Sequence, residues 1–125
     1  MKSILLIEDE PILGETMVDI LELYDYRVHW KKSLEEFLAF DQKKEVVHLI
    51  CCDFHLPDGS LRDVHAKLKA SETLSKVPLL VISATASEHD MDYINKNIDH
   101  FLMKPFKVSS LLDKISALVS CWVTP

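Results

Sequence analysis

Three carboxylates, a hydroxyl and an ammonium follow the short apolar runs of this chain. Glu8 and Asp9 come directly after Ile4 to Ile7, and Asp53 comes after Leu49 to Cys52. Ser83 closes the run from Leu79 to Ile82, and Lys104 follows Phe101 to Met103. If the runs are strands of one sheet, these groups meet at one edge. Three carboxylates and one lysine then sum to −2, and like charges a few ångströms apart repel by several kcal/mol at low effective dielectric. Unaided, one carboxylate would take up a proton. A divalent cation offsets the deficit, and a hard all-oxygen site with few protein ligands suits Mg2+. Such an ion could draw in a phosphoryl donor and neutralise its equatorial oxygens during in-line transfer. Aspartate is a nucleophile for that chemistry, forming an aspartyl phosphate. Lys104 would supply a second positive charge and Ser83 a hydrogen bond.

The elements that must position these groups are legible in the hydrophobic pattern. The four runs are continuously apolar rather than alternating, as strands covered on both faces are. Arg27 to Trp30 is a weaker strand candidate. Between the strands, Ile12 to Tyr24 carries apolar residues at helical spacing. Ser33-x-x-Glu36 and Ser87-x-x-Asp90 resemble helix N-terminal caps, the second with Asp in place of Glu or Gln. Leu61 to Ala70 and Val108 to Val119 complete five strand–helix units, with no linker, repeat or low-complexity tract between them. Alternating βα units imply an α/β fold, a parallel sheet with right-handed crossovers and helices on both faces. Ligands of such sheets gather at the carboxyl ends of the strands, where the groups above stand.

Composition bounds the alternatives. The 125 residues carry 14 basic and 20 acidic side chains, a net charge of −6, and 48% are hydrophobic. That length and apolar content suit one domain with one core. A net negative chain without a basic stripe is a poor binder of nucleic acid, whose affinity for proteins comes largely from Lys and Arg displacing phosphate counterions. The only two glycines, Gly14 and Gly59, exclude both glycine-rich nucleotide loops. The N-terminus reaches Glu8 after a run too short for a signal peptide, and no stretch approaches the ~18 apolar residues of a membrane span. Three cysteines, two of them adjacent, fit a reducing compartment; the expectation is a cytoplasmic protein with no membrane partner.

The motifs taken together resemble the signature of response-regulator receiver domains of two-component signalling: Glu8-Asp9, Asp53-x-x-Leu56-Pro57-x-Gly59, Ser83-Ala84 and Lys104-Pro105-Phe106. The likeness covers essentially the whole chain, with each motif in the expected order and spacing, so residues 1–125 are read as one receiver domain. The resemblance implies a flavodoxin-like (βα)5 fold, doubly wound, with a five-stranded parallel sheet in the order 2-1-3-4-5. It implies that Asp53 accepts a phosphoryl group from a sensor histidine kinase or phosphotransfer protein. Mg2+ would be held by Glu8, Asp9, Asp53 and the backbone carbonyl of His55. Lys104 would contact the phosphoryl group, its bond to Pro105 would be cis, and Ser83 and Phe101 would be the switch pair. The output surface would be the fourth helix, fifth strand and fifth helix, which is also the face for a homodimer; the downstream effector is unknown. Such a domain catalyses its own phosphorylation and dephosphorylation and is not expected to turn over a separate substrate.

Departures from the family pattern carry expectations of their own. A glycine frequent eight residues after the phosphoacceptor is Leu61 here, so the loop after Gly59 is expected to be reshaped. A Gly-Ala pair that commonly precedes the fifth strand is replaced by Asn97-Ile98-Asp99. Asn tolerates a left-handed backbone, so Asn97 is expected to stand in for the glycine. Phe101 lacks the hydroxyl of the more frequent tyrosine and reads equally as a plain core aromatic. His55 and Thr85 read first as exposed residues beside the site, and second as groups that alter phosphoryl lifetime. Trp30 and Trp122 need no functional account. A zinc site among His48, Cys51, Cys52, Asp53 and His55 is disfavoured, because adjacent strand residues such as Cys51 and Cys52 face opposite ways. Two other functions compete with the switch. A phosphorylation-independent pseudo-receiver would usually have lost an acidic group or the lysine. A haloacid-dehalogenase-like phosphatase needs Asp-x-Asp where this chain has Glu8-Asp9-Glu10-Pro11. The chain closes at Val123-Thr124-Pro125, which fits a stand-alone receiver and a piece of a larger regulator equally.

Overall fold

The computed structural model describes residues 1–41, 43–84 and 87–120. In chain order the elements are β1 (Ser3–Ile7), α1 (Pro11–Leu23), β2 (Arg27–Lys31), α2 (Leu34–Leu38), β3 (Leu49–Cys52), β4 (His55–Leu56) and β5 (Gly59–Ser60). They continue with α3 (Leu61–Ala70), a 3-10 turn at Leu74–Lys76, β6 (Leu79–Ser83), α4 (Glu88–Asn97), β7 (His100–Met103) and α5 (Val108–Ser120). Five parallel strands form one sheet in the order β2-β1-β3-β6-β7, and β4 and β5 form a separate antiparallel hairpin. With the hairpin set aside, the order is the 2-1-3-4-5 expected of the fold.

Both faces of the sheet are covered, which explains why β1 and β3 are buried at every position. Side chains alternate along a strand, so each central strand feeds two cores. Leu5, Ile7, Ile50, Cys52 and Val81 pack on one face with Phe37 of α2, Val64 and Leu68 of α3, and Ile94 of α4. Ile4, Leu6, Cys51, Leu80 and Ile82 pack on the other with Met17 and Leu21 of α1 and Leu111, Ile115 and Val119 of α5. Cys51 and Cys52 thus lie in opposite cores. Burial pushes the Cys51 thiol up to about 12 and Cys52 well above its ordinary value, so neither is a thiolate ligand or nucleophile at neutral pH. β2 and β7 are the sheet edges and only half-buried, which is why Arg27–Lys31 has the weakest apolar pattern of the five.

Local chemistry sets the element ends. Ser33, Ser60 and Ser87 each accept a backbone N–H of the following helix through Oγ, and Ser60 and Asp63 form a reciprocal capping box. Leu61, at the position where the family often has glycine, is fully buried and opens α3, its N–H donating to the carbonyl of Phe54 at 2.7 Å. The φ of Gly59 is not positive, and an added Cβ would lie 2.6 Å from Leu34 Cδ2 and 2.8 Å from Asp63 Oδ2, so the ends of those two side chains would have to shift. In the turn between β4 and β5, Asp58 reaches back to accept the N–H groups of Leu34 and Glu35 at 2.8 and 2.9 Å. These bonds hold its carboxyl below the ordinary range and tie the hairpin to the start of α2.

The expectation for Asn97 is not met. Asn97 ends α4, and its Nδ2 donates to the carbonyl of Tyr93 at 2.9 Å. The one described non-glycine residue with positive φ is Asp25, at φ 67°. There the N–H of Tyr26 donates to Leu21 O at 3.0 Å and that of Asp25 to Glu22 O at 3.1 Å, the paired bonds that end a helix through a left-handed residue. Glycine adopts that backbone without the Cβ penalty. Asp25→Gly is therefore expected to stabilise the fold by about 0.5–1 kcal/mol, read as a higher urea midpoint at unchanged slope.

Candidate functional site

The strand register builds the site. Ile7 lies opposite Cys52 in the β1–β3 pair, so Glu8 and Asp53 leave the sheet side by side; Ser83 lies opposite Met103, so Lys104 leaves beside Ser83. Each exit is pinned by one more backbone bond beyond its strand. Glu8 N–H donates to Lys31 O at 3.0 Å, Asp53 N–H to Ile7 O at 3.1 Å, and Lys104 N–H to Ser83 O at 2.9 Å. The Lys104–Pro105 peptide is cis.

Lys104 reaches back across the sheet from this anchor. Its Nζ donates to Glu8 Oε1 at 2.8 Å and to Asp53 Oδ2 at 3.0 Å. The second oxygen of each acid is also held: Glu8 Oε2 accepts Glu10 N–H at 3.2 Å, and Asp53 Oδ1 accepts Phe54 N–H at 2.6 Å. Glu8 is 2% exposed, whereas Asp9 faces solvent. Burial raises the Glu8 carboxyl above its ordinary value; the Lys104 bond pulls it back and the nearby Asp53 charge adds to the rise. For Lys104, burial would lower the ammonium, but its bonds to Glu8 and Asp53 outweigh that and hold it above the ordinary range.

One oxygen each from Glu8, Asp9 and Asp53 lies within 4.8 Å of the others. Octahedral Mg2+ with oxygens at ~2.1 Å sets neighbouring ligands ~3 Å apart and opposite ones ~4.2 Å apart, so these hard donors fit it. No other group of three such ligands was found among the described residues.

The remaining expected residues fall as follows. Ser83 is buried at the end of β6, the strand adjacent to β3. Phe101 lies opposite Val81 in β7 and packs half-buried against the core that α2, α3 and α4 cover. Thr85 lies outside the described residues. His55 is exposed but not without a partner: its Nε2 is 3.1 Å from Asp90 Oδ2, and Asp90 Oδ1 is 3.8 Å from Arg62. Asp90 is a residue that the sequence marks only as part of a cap. Its place in Ser87-x-x-Asp90 signals a cap, and Ser87 Oγ does accept its N–H at 3.1 Å. Its carboxylate is instead free to join α4 to the hairpin and α3, a pairing across 35 residues that carries no local signal.

A family model described as the response regulator receiver domain matches residues 4–116. An uncharacterized transcriptional regulatory protein, YbdJ of Bacillus subtilis, is 30% identical over 112 residues, which are 87% of this chain and 47% of that protein. The chain thus spans about half the length of that regulator. Among solved structures, the non-phosphorylated HemR receiver domain of Leptospira biflexa superposes with a TM-score of 0.83 at 28% identity, covering 100% of this chain and 98% of that one. The receiver domain of the sensor histidine kinase PA1611 of Pseudomonas aeruginosa, with a magnesium ion coordinated in its active-site cleft, gives 0.84 at 22% identity, covering 95% and 98%.

Two outcomes follow from the charge balance. Without Mg2+, folded Glu8 keeps a proton above its ordinary value of 4.5 that the unfolded chain has released. Its contribution to stability is fully present below that value and is lost as pH rises through the raised one. Glu8→Gln is expected to remove that fall, checked by urea unfolding in chelator from pH 4 to 8; an unchanged pH slope would exclude Glu8 as its source. Lys104→Met leaves two largely buried carboxylates without their cation and is expected to cost about 3–5 kcal/mol in chelator, part of it recovered when Mg2+ is added.

Proposed function

The chain belongs to the response regulator receiver domain family, and from that premise we propose that it is a phosphorylation-dependent signalling switch with Asp53 as phosphoacceptor. The observation that carries this reading is the ammonium of Lys104 held between Glu8 and Asp53, with Asp9 beside them. A pseudo-receiver that signals without phosphorylation would have no use for a buried carboxylate balanced in this way.

In the proposed reaction a carboxylate oxygen of Asp53 attacks the phosphorus of a phosphohistidine on a sensor histidine kinase or phosphotransfer protein. The new O–P bond forms as the P–N bond breaks, and the departing imidazole keeps the electron pair. Mg2+, held by Glu8, Asp9, Asp53 and the backbone carbonyl of His55, would supply positive charge to the phosphoryl oxygens. Lys104 follows the charge: it already bonds an Asp53 oxygen and needs only to turn toward the phosphoryl oxygens that replace it. Modification takes the side chain from −1 to nearly −2 with three acceptor oxygens. A Ser83 hydroxyl donating to that group contributes ~1.5–3 kcal/mol. A bond made in only one conformation then shifts the population by roughly ten- to a hundredfold. Phe101, half-buried in the neighbouring strand, would take up the space that Ser83 leaves. The output surface, also the face for a homodimer, would be α4, β7 and α5.

The test is the intact mass after incubation with acetyl phosphate, with and without Mg2+. The expected result is a gain of one phosphoryl group that requires Mg2+ and is absent in Asp53→Asn. A gain that persists in Asp53→Asn would move the acceptor elsewhere. No gain from acetyl phosphate or from any phosphohistidine donor, in folded protein, would favour the pseudo-receiver.

A further inference from the structure

The two backbone groups of Glu8 are both committed to β2. Its N–H donates to the carbonyl of Lys31, and its carbonyl accepts the indole Nε1–H of Trp30 at 2.9 Å. The first bond continues the sheet ladder and any residue could make it. The second needs a side-chain donor of one length at one position, on an edge strand with no further strand outside it. Together they restrain the peptide planes on either side of the Glu8 Cα. They therefore fix the direction of the Glu8 side chain and the point from which Asp9 starts.

A second observation concerns the seat of that indole. Gly14 lies within α1, where glycine costs about 1 kcal/mol relative to alanine. Its φ is not positive, so no backbone requirement keeps it there. An added Cβ would collide with Cζ2 and Cε2 of Trp30. Lys32 also packs on the ring, its Nζ 4.7 Å from the ring centroid. One of the two glycines in the chain thus makes room for a side chain that bonds the backbone of the acidic loop from outside it. Trp30 is more than a scattered aromatic.

We infer that Trp30 is a positioning residue for the Mg2+ site, holding the Glu8–Asp9 loop in its ligating geometry from a seat that Gly14 provides. The inference rests on the Mg2+ site proposed above. A hydrogen bond from a neighbouring group to the backbone of a ligand acts on metal affinity by orienting that ligand.

The experiment is calorimetric titration of Mg2+ into wild type, Trp30→Phe, Gly14→Ala and Val28→Ala, each also unfolded in urea. Trp30→Phe keeps an aromatic ring and deletes the donor; its Kd for Mg2+ is expected to rise about three- to tenfold. Val28→Ala removes buried surface from the same face of β2 without touching the loop, and its Kd is expected to match wild type at a comparable loss of stability. Gly14→Ala displaces the indole and is expected to weaken Mg2+ as Trp30→Phe does. In the double variant the two effects should not add, because the ring that alanine would strike is already smaller. In wild type the Trp30 indole N–H resonance, identified by its loss in Trp30→Phe, is expected to shift along the Mg2+ titration. Wild-type Kd in folded Trp30→Phe, or equal weakening in Val28→Ala, overturns the inference while leaving the Mg2+ site intact. If Trp30→Phe does not fold, wild-type Kd in Gly14→Ala overturns it alone. A wild-type protein that takes up no Mg2+ overturns the site itself, and the inference with it.

Discussion

The pairing of one ammonium with two carboxylates is the constraint on which the rest of the structure depends. Lys104 is 96 residues from Glu8 and 51 from Asp53 along the chain, yet its Nζ lies within 3.0 Å of both. No local sequence preference produces such a contact. It exists because β1, β3 and β7 are parallel and end at the same edge of the sheet, β7 running two residues beyond the level of Ile7 and Cys52, so that Lys104 reaches back to the two acids. A single-residue slip in any of these pairings would turn the strand's side chains to the opposite core. The two apolar cores therefore hold the register, and the register holds the charges.

That dependence explains what sequence could and could not reveal. Central strands buried on both faces leave continuous apolar runs, and Ile4–Ile7, Leu49–Cys52 and Leu79–Ile82 were found within a residue of their observed limits. Serine caps before α2 and α4 were legible for the same reason: the group that makes the bond is within three residues of its partner. The acidic residues and lysine were legible because each stands next to such a run. The β4–β5 hairpin was not, since two residues per strand carry no periodicity. Asp90 was legible as a cap but not as the partner of His55 and Arg62, because that link is tertiary. The left-handed residue was sought at Asn97 on residue preference alone. It lies at Asp25, where the bonds that end α1 demand it whatever side chain is present.

Trp30 and Gly14 show the same limit in a different form. Each is unremarkable alone: a tryptophan on an edge strand and a glycine inside a helix. Only the packing of α1 on β2 makes them one feature, in which a residue poor for the helix permits a side chain that reaches the backbone of Glu8. The Asp58 carboxylate does comparable work on the other side of the acidic edge, joining the hairpin turn to the start of α2.

The site is an unfavourable arrangement that the fold imposes. Three carboxylates facing one ammonium leave a deficit of positive charge, and burial of Glu8 makes its ionised form harder to keep. The bonds from Lys104, Glu10 and Phe54 offset part of this cost but cannot remove the repulsion between like charges. A cation or a cation-bound phosphoryl group that enters this edge is favoured by relieving repulsion as well as by making new contacts. The response to such a ligand is then concentrated where the repulsion was, at Lys104 and at the β3 exit. Asp53 at that exit is two residues from His55, and His55 grips α4 through Asp90. A change of charge at Asp53 would act on a loop whose next side chain but one is paired with α4, so in the proposed switch local electrostatics and helix position share a physical boundary.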